Sequence, residues 1–326
     1  MHKNPNEYAT REAPIRTEIL RLFAANTVFP ATMKSIQLAA MFTLFLTAAS
    51  VHGQTPAVEV PATEAPIIRE APPPLFNFNL IPKPFQRNPQ LEMTVFTELT
   101  AHGRSLPKAS AEHPLHFIAQ DQGFRPMGDG VGGQRPPLPA ELEGILQKAL
   151  AEQGYLPFTS AARSPDLVLI YYWGSHYRLD LEMARMFPEM HRQHLLERAV
   201  LVGGRAFASD IELQLNFGYL PSDRSLKKGY LFQQADTDLY YVVVSAYDHA
   251  SVIANAPKLA WRTTMTVNAI GVAMKESLPP LILTAGPWFG REMNETVALR
   301  RTVRRGTVIL GPLQVIEDEP APASRK

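Results

Sequence analysis

Nucleophilic chemistry has one opening in this sequence, Gly174-Ser175-His176, which follows the apolar run Leu167 to Trp173. A serine there is displayed as a nucleophile when a strained Gly-x-Ser-x-Gly turn leads straight into a helix. Tyr177 takes the second glycine position, so Ser175 reads as a strand-end residue. Glu189, His191, His194 and Glu197 fall at spacings that share a helical face, and imidazole with carboxylate is a zinc-binding combination. The pattern is not His-Glu-x-x-His, and a solvated polar face accounts for it. Asp248-His249 has the composition of a charge-relay pair, yet adjacent strand residues point apart, which makes it a turn. The run GDGVGG at Gly128 to Gly133 has the glycines of a phosphate-cradling loop. Gln134-Arg135-Pro136-Pro137 then follows, where an ATP-binding loop needs Lys-Ser or Lys-Thr opening a helix. No catalytic, cofactor-binding or metal-ligating residue is assigned from these patterns.

Binding chemistry is better represented. Arg300, Arg301, Arg304 and Arg305, with Arg291, form the densest basic patch and are the possible binding surface, suited to an anionic lipid, lipopolysaccharide or a cell-wall carboxylate. On a strand such arginines divide between two faces, and a charged edge also guards against unwanted strand pairing. Tyr171, Tyr172, Trp173, Tyr177, Trp288 and Phe289 are aromatic groups that stack on sugars when exposed and fill the core when not. Lys and Arg total 32 against 31 for Asp and Glu, so nothing in the net charge suits the chain to nucleic-acid phosphates. The absence of cysteine excludes disulfides, thiolate metal sites, a cysteine nucleophile and lipid attachment through a cysteine.

These groups depend on a set of elements that the pattern of apolar residues marks out. LEMTVFTEL at 91–99 and PLHFIA at 114–119 are β-rich, and a loop is expected from Gln120 to Pro137. Leu142, Ile145, Leu146, Ala149 and Leu150 recur at helical spacing between prolines and Gly154, which predicts a helix. DLVLIYYW is apolar without alternation, the mark of a central strand covered on both faces. Residues 180–218 read as helix in two pieces broken at Gly203-Gly204, and residues 221–238 as a polar loop. YYVVVSAYD at 240–248 is a second buried strand. KLAWRTTMTV alternates, with Leu259, Trp261, Met265 and Val267 inward and Lys258, Arg262, Thr264 and Thr266 facing water. A short helix from Pro280 to about Ala285 and a basic strand through residues 296–310 complete the domain.

Ahead of this domain, Met33 to Gly53 carries Lys34, an apolar stretch through Leu46 and small residues before Gln54. That is the three-part pattern of a secretory signal, too short to span a bilayer, with cleavage expected after Gly53. Residues 1–32 then precede the true start. Loss of residues 1–53 removes five basic and three acidic side chains, leaving 27 against 28. Residues 54–90 form a proline-rich leader whose Phe76, Phe78 and Phe85 are expected to dock on the domain, the alternative being a partner. One domain is expected over 91–316, with a tail at 317–326.

Gly154-Tyr155, Asp166-Leu167-Val168, Asp248 and Trp261-Arg262 occur in an order that resembles a family of bacterial envelope proteins of unknown function, often lipoproteins. In that family a helix ending in Gly-Tyr precedes an Asp-Leu-Leu-Val strand, and a strand ending in Asp precedes a Trp-Arg strand. The resemblance implies a fold and a location, and brings no catalytic residues. This chain departs from it in having no lipid-bearing cysteine and in its long stretch at 180–238.

The expectation is an α/β (α+β) fold: a mixed, largely antiparallel sheet with helices packed on it and a helical insertion at about 180–220. The expected function is an exported, periplasmic or secreted, non-catalytic module that contacts an envelope protein or an anionic cell-wall or outer-membrane component. Neither cofactor nor nucleic acid is expected, and no transmembrane span after cleavage. The alternative is a periplasmic hydrolase using Ser175 or the His191/His194 region.

Overall fold

A computed structural model describes residues 80–128, 136–159, 164–217 and 226–305. The signal-type stretch 33–53, residues 1–32, most of the leader, GDGVGG beyond Gly128 and the tail lie outside the described residues. Seven strands form one mixed sheet in the order β3-β2-β4-β5-β6-β1-β7. They are β1 (Gln90–Leu99), β2 (Leu115–Met127), β3 (Tyr155–Pro157), β4 (Leu167–His176), β5 (Leu239–Asp248), β6 (Leu259–Asn268) and β7 (Val297–Thr302). β2 runs parallel to β3 and β4, and every other pairing is antiparallel.

The helices are α1 (Ala101–Ser105), α2 (Pro139–Ala151), α3 (Leu181–Met186), α4 (Pro188–Phe217), α5 (Leu226–Ala235), α6 (His249–Ile253) and α7 (Met274–Ala285). α2 follows the predicted stripe, with Leu142, Leu146, Ala149 and Leu150 buried. The turn after it closes at Gly154, whose φ of 83° belongs to the left-handed region, and a Cβ there would strike the backbone of Ser110. One face of the sheet carries the main core. Leu91, Met93 and Val95 of β1, Leu169, Tyr171 and Trp173 of β4, Tyr240, Val242 and Val244 of β5, and Trp261, Met265 and Val267 of β6 pack there with α2 and α7. Every second residue of these strands shares that face, as the pleat requires. β4 is central and β6 lies antiparallel to β5, with Trp261 opposite Ala246 and 3% exposed.

Five expectations are corrected. Gln120–Met127 is strand, because beyond an irregularity at Asp121/Phe124 β2 continues along Trp173–His176 of β4. The face of β6 expected to be wet is covered: Thr266 and Thr264 are buried beneath α4, and Thr266 Oγ1 pairs with Thr94 Oγ1 at 2.5 Å. Residues 226–235 form α5, which buries Tyr230, Leu231 and Ala235 against Leu195, Ala199 and Val202 of α4. The turn expected at Asp248-His249 is the start of α6, whose N-cap is Asp248, accepting from Ser251 N. α7 starts at Met274 rather than Pro280, because Met274, Leu278, Leu281 and Ile282 on its inner face fix the helix across Pro279 and Pro280.

The helical break expected at Gly203-Gly204 is real. Gly204 has φ 75° and ψ −174°, a backbone region reserved for glycine, and a Cβ there would press on the Phe96 ring at 2.6 Å. The bend lets α4 lie across β1 and β6.

Candidate functional site

Of the groups first considered for catalysis, Ser175 is buried, and His191 and His194 are half-buried on α4. Ser175 is 1% exposed, with Pro126 of β2 and Tyr240 of β5 opposite it in the ladder. Its neighbour His176 points to the other face. There the His176 ring lies 5.4 Å from that of His194, edge to face, and its Nε2 is 3.1 Å from Glu197 Oε2. Its Nδ1 is 3.3 Å from the carbonyl oxygen of Tyr177. The hydrogen bond to His176 holds the Glu197 carboxyl below its usual range, against the opposing effect of burial. Arg198, one residue on, is fully buried and donates from Nε to Ala235 O at 2.7 Å. Burial pulls its guanidinium down to about 10, which leaves it charged in neutral water. This polar cluster pins α4 to the end of β4. Ser175 and His194 therefore lie on opposite faces of the sheet, and no group of three His, Asp or Glu among the described residues is placed to hold a metal ion.

The arginines of the basic strand part company. Arg305 is a fastening: its side chain donates to Glu276 Oε1 at 2.6 Å and to the carbonyls of Lys83, Pro84, Gln86 and Gly271. It ties the end of the leader to α7. Arg301 donates to Thr284 Oγ1 of α7 at 2.9 Å, and Arg304 is exposed. Arg300 alternates to the other face of β7, near Tyr230 of α5. Phe85 at the end of the leader is 78% exposed, not docked, while Phe76 and Phe78 lie outside the described residues.

What the structure gathers is a cleft of about 520 Å³ at the end of the sheet where β2, β3, β4 and β6 begin and β1 ends. Tyr155, Leu167, Trp261 and Phe289 form its apolar floor with Leu99, Leu106 and Leu115. The Trp261 ring sits 5.6 Å from Tyr155 and 6.0 Å from Phe289. Trp261 Nε1 lies beside the Tyr155 hydroxyl, and burial pushes the phenol up to about 12. The Tyr155 O–H is thus a donor at every ordinary pH. Gly290, at φ 65°, lets the chain close over this pair, because a Cβ there would strike Tyr155 and come within 3.1 Å of Trp261 Nε1.

Cations line the rim. Arg104, Lys108 and Arg291 are all exposed. Arg104 donates through Nε and Nη2 to Glu292 Oε1, at 2.8 and 2.6 Å. That contact raises the guanidinium and lowers the carboxyl. Lys108 and Arg291 are left as free positive charges by the ion pairs of the described residues, and the lining contains no serine, threonine, cysteine or histidine. The segment that carries Arg104 is held by Thr100, whose Oγ1 caps α1 and donates to Leu259 O at 2.6 Å.

Sequence reasoning named Tyr155, Trp261, Phe289 and Arg291 separately and did not join them. Arg104 and Lys108 were missed, since they sit in an unpatterned loop. The other positions that carry the family resemblance hold the frame: Asp166 accepts from His116 N at 2.8 Å and Asp248 caps α6.

No family model matches the chain, and no curated protein matches it. Solved structures that align with it include the PelC dodecamer from Paraburkholderia phytofirmans, 11% identical, over 59% of this chain and 93% of that one, with a TM-score of 0.27. A PDZ domain protein from Parabacteroides distasonis is 9% identical over 65% of this chain and 39% of that one, with a TM-score of 0.31.

Proposed function

We propose that this chain is an exported, non-catalytic binding module of the bacterial envelope that holds an anionic group of its partner in the cleft over Tyr155 and Trp261. The single observation that carries the binding role is the composition of the cleft. Its floor is apolar and aromatic, its rim carries three cations and the Gln153 amide, and its one carboxylate is already engaged by Arg104. Pockets of this size and make-up bind ligands, whereas acyl transfer or hydrolysis would need a nucleophile beside a base. Export rests on the signal-type stretch Met33 to Gly53. The partner is an envelope protein or an anionic cell-wall component.

The test is retention of envelope components on the immobilised protein, compared with the double charge reversal Lys108→Glu, Arg291→Glu. Both residues are exposed, so the variant keeps the wild-type melting temperature. Wild-type protein is expected to retain a partner that the variant releases and that rising salt displaces. Equal retention by both proteins, or by neither, refutes the proposal.

A further inference from the structure

We infer that the group held in the cleft is the free C-terminal carboxylate of a polypeptide whose last side chain is apolar. This rests on the binding role argued above and names the chemistry of its ligand.

Charge sets the first condition. The rim carries Arg104, Lys108 and Arg291 against Glu292, above an apolar floor on which Gly290 covers the Tyr155 hydroxyl. A rim with this excess of cationic donors selects an acceptor that carries negative charge. Glu292 takes up the charge of Arg104, and Lys108 and Arg291 keep the rim positive for an anionic group.

Distance sets the second condition. Arg291 follows Phe289 and Gly290 directly and is close enough to Tyr155 to act on its phenol, so the cationic rim and the apolar floor belong to adjacent residues. The anionic and apolar parts of the ligand must therefore be neighbours too. A long acyl chain puts them at opposite ends and would leave most of its length in water. A C-terminal residue carries both on one carbon. The carboxylate then meets Arg291 and Lys108, while the side chain covers Leu106, Leu115 and the edges of the aromatic floor. Capture of a terminal carboxylate by convergent donors is an established way for a protein to read a peptide end.

Calorimetric titration of the full chain with a hexapeptide ending in Leu-Phe, as the free acid and as the C-terminal amide, tests this. The acid is expected to bind at least about ten-fold more tightly than the amide, because only it makes charge-assisted bonds. Arg291→Gln should remove most of that difference and leave the melting temperature unchanged, since the side chain is exposed. Equal binding of acid and amide, no binding of either, or an unaltered acid preference in Arg291→Gln overturns the inference. The envelope retention experiment separates the two readings. A partner whose retention depends on Lys108 and Arg291 but is not displaced by the acid peptide leaves the binding role standing and sinks the C-terminal ligand. Acid-selective binding without any retained envelope partner does the reverse.

Discussion

Tyr155 concentrates the physics of the cleft at one residue. Its phenol is raised to about 12 by burial, whereas an unfolded tyrosine titrates near 10. The folded state thus keeps a proton that the unfolded chain gives up over that interval. The resulting stability is whole below pH of about 10 and is lost as pH rises towards 12. Tyr155→Phe removes this titration and also takes the hydroxyl oxygen away from beside Trp261 Nε1, at about 1 kcal/mol in neutral solution. Urea midpoints measured from neutral to strongly alkaline pH should show the variant below wild type at about pH 7, with the gap closing above pH of about 10. A gap that is constant with pH contradicts the assignment. Trp261 and Arg262 give the contrast of the two faces of β6. Trp261→Ala should cost about 3 to 5 kcal/mol by opening the main core. Arg262 is half-buried and reaches Ser245 Oγ at 3.1 Å, so Arg262→Ala should cost about 1 kcal/mol. Denaturant titration of both variants checks the ranking.

At the scale of elements, α4 and α2 use glycine in opposite ways. Gly204 in α4 occupies a conformation closed to other residues, and the Phe96 ring fills the space beside it. Gly204→Ala should destabilise by about 1 to 3 kcal/mol, through strain that straightening α4 would relieve only by lifting it off β1. Gly144 sits on the exposed side of α2, where a Cβ would meet nothing within 4 Å, so its freedom only weakens the helix. Gly144→Ala should stabilise by about 0.5 to 1 kcal/mol. Thermal melts of the two variants should move in opposite directions, and a shared direction would show that α4 is not bent as described. α5 illustrates why a helix escapes notice. Its Lys227, Lys228, Gln233 and Gln234 dilute the apolar signal, yet Tyr230, Leu231 and Ala235 keep the one-turn spacing that meets α4.

For the whole molecule, residues 177–238 stand where a tight turn would serve. β4 and β5 are antiparallel neighbours, and His176 lies opposite Leu239, so about two residues could join them. The chain instead builds α3, α4 and α5 there and lays them over the second face of the sheet. Replacing 177–238 with Asn-Gly would uncover Leu239, Tyr241, Val243, Thr94 and Thr266. The shortened chain is expected to self-associate in sedimentation velocity, because an apolar sheet face of that extent does not stay in water. A monomeric, cooperatively folding product would show that the helical segment is an appendage and not half of the core.

How much of this was legible beforehand depends on the range of the forces involved. Periodicity along the chain determined α2, the two buried strands, the inward face of Trp261 and the break at Gly204, because burial of alternate or one-turn-spaced side chains and the steric freedom of glycine act within a few residues. The α/β class with a largely antiparallel sheet follows from the same local signals. The order of the strands, the parallel run of β2 along β4 and the cover over Thr264 and Thr266 came only with the tertiary structure, since they join residues far apart in sequence. The cleft belongs to that second kind. Arg104, Tyr155, Trp261 and Arg291 have no common spacing, and what makes them one site is that four strands begin, and one ends, at the same edge of the sheet.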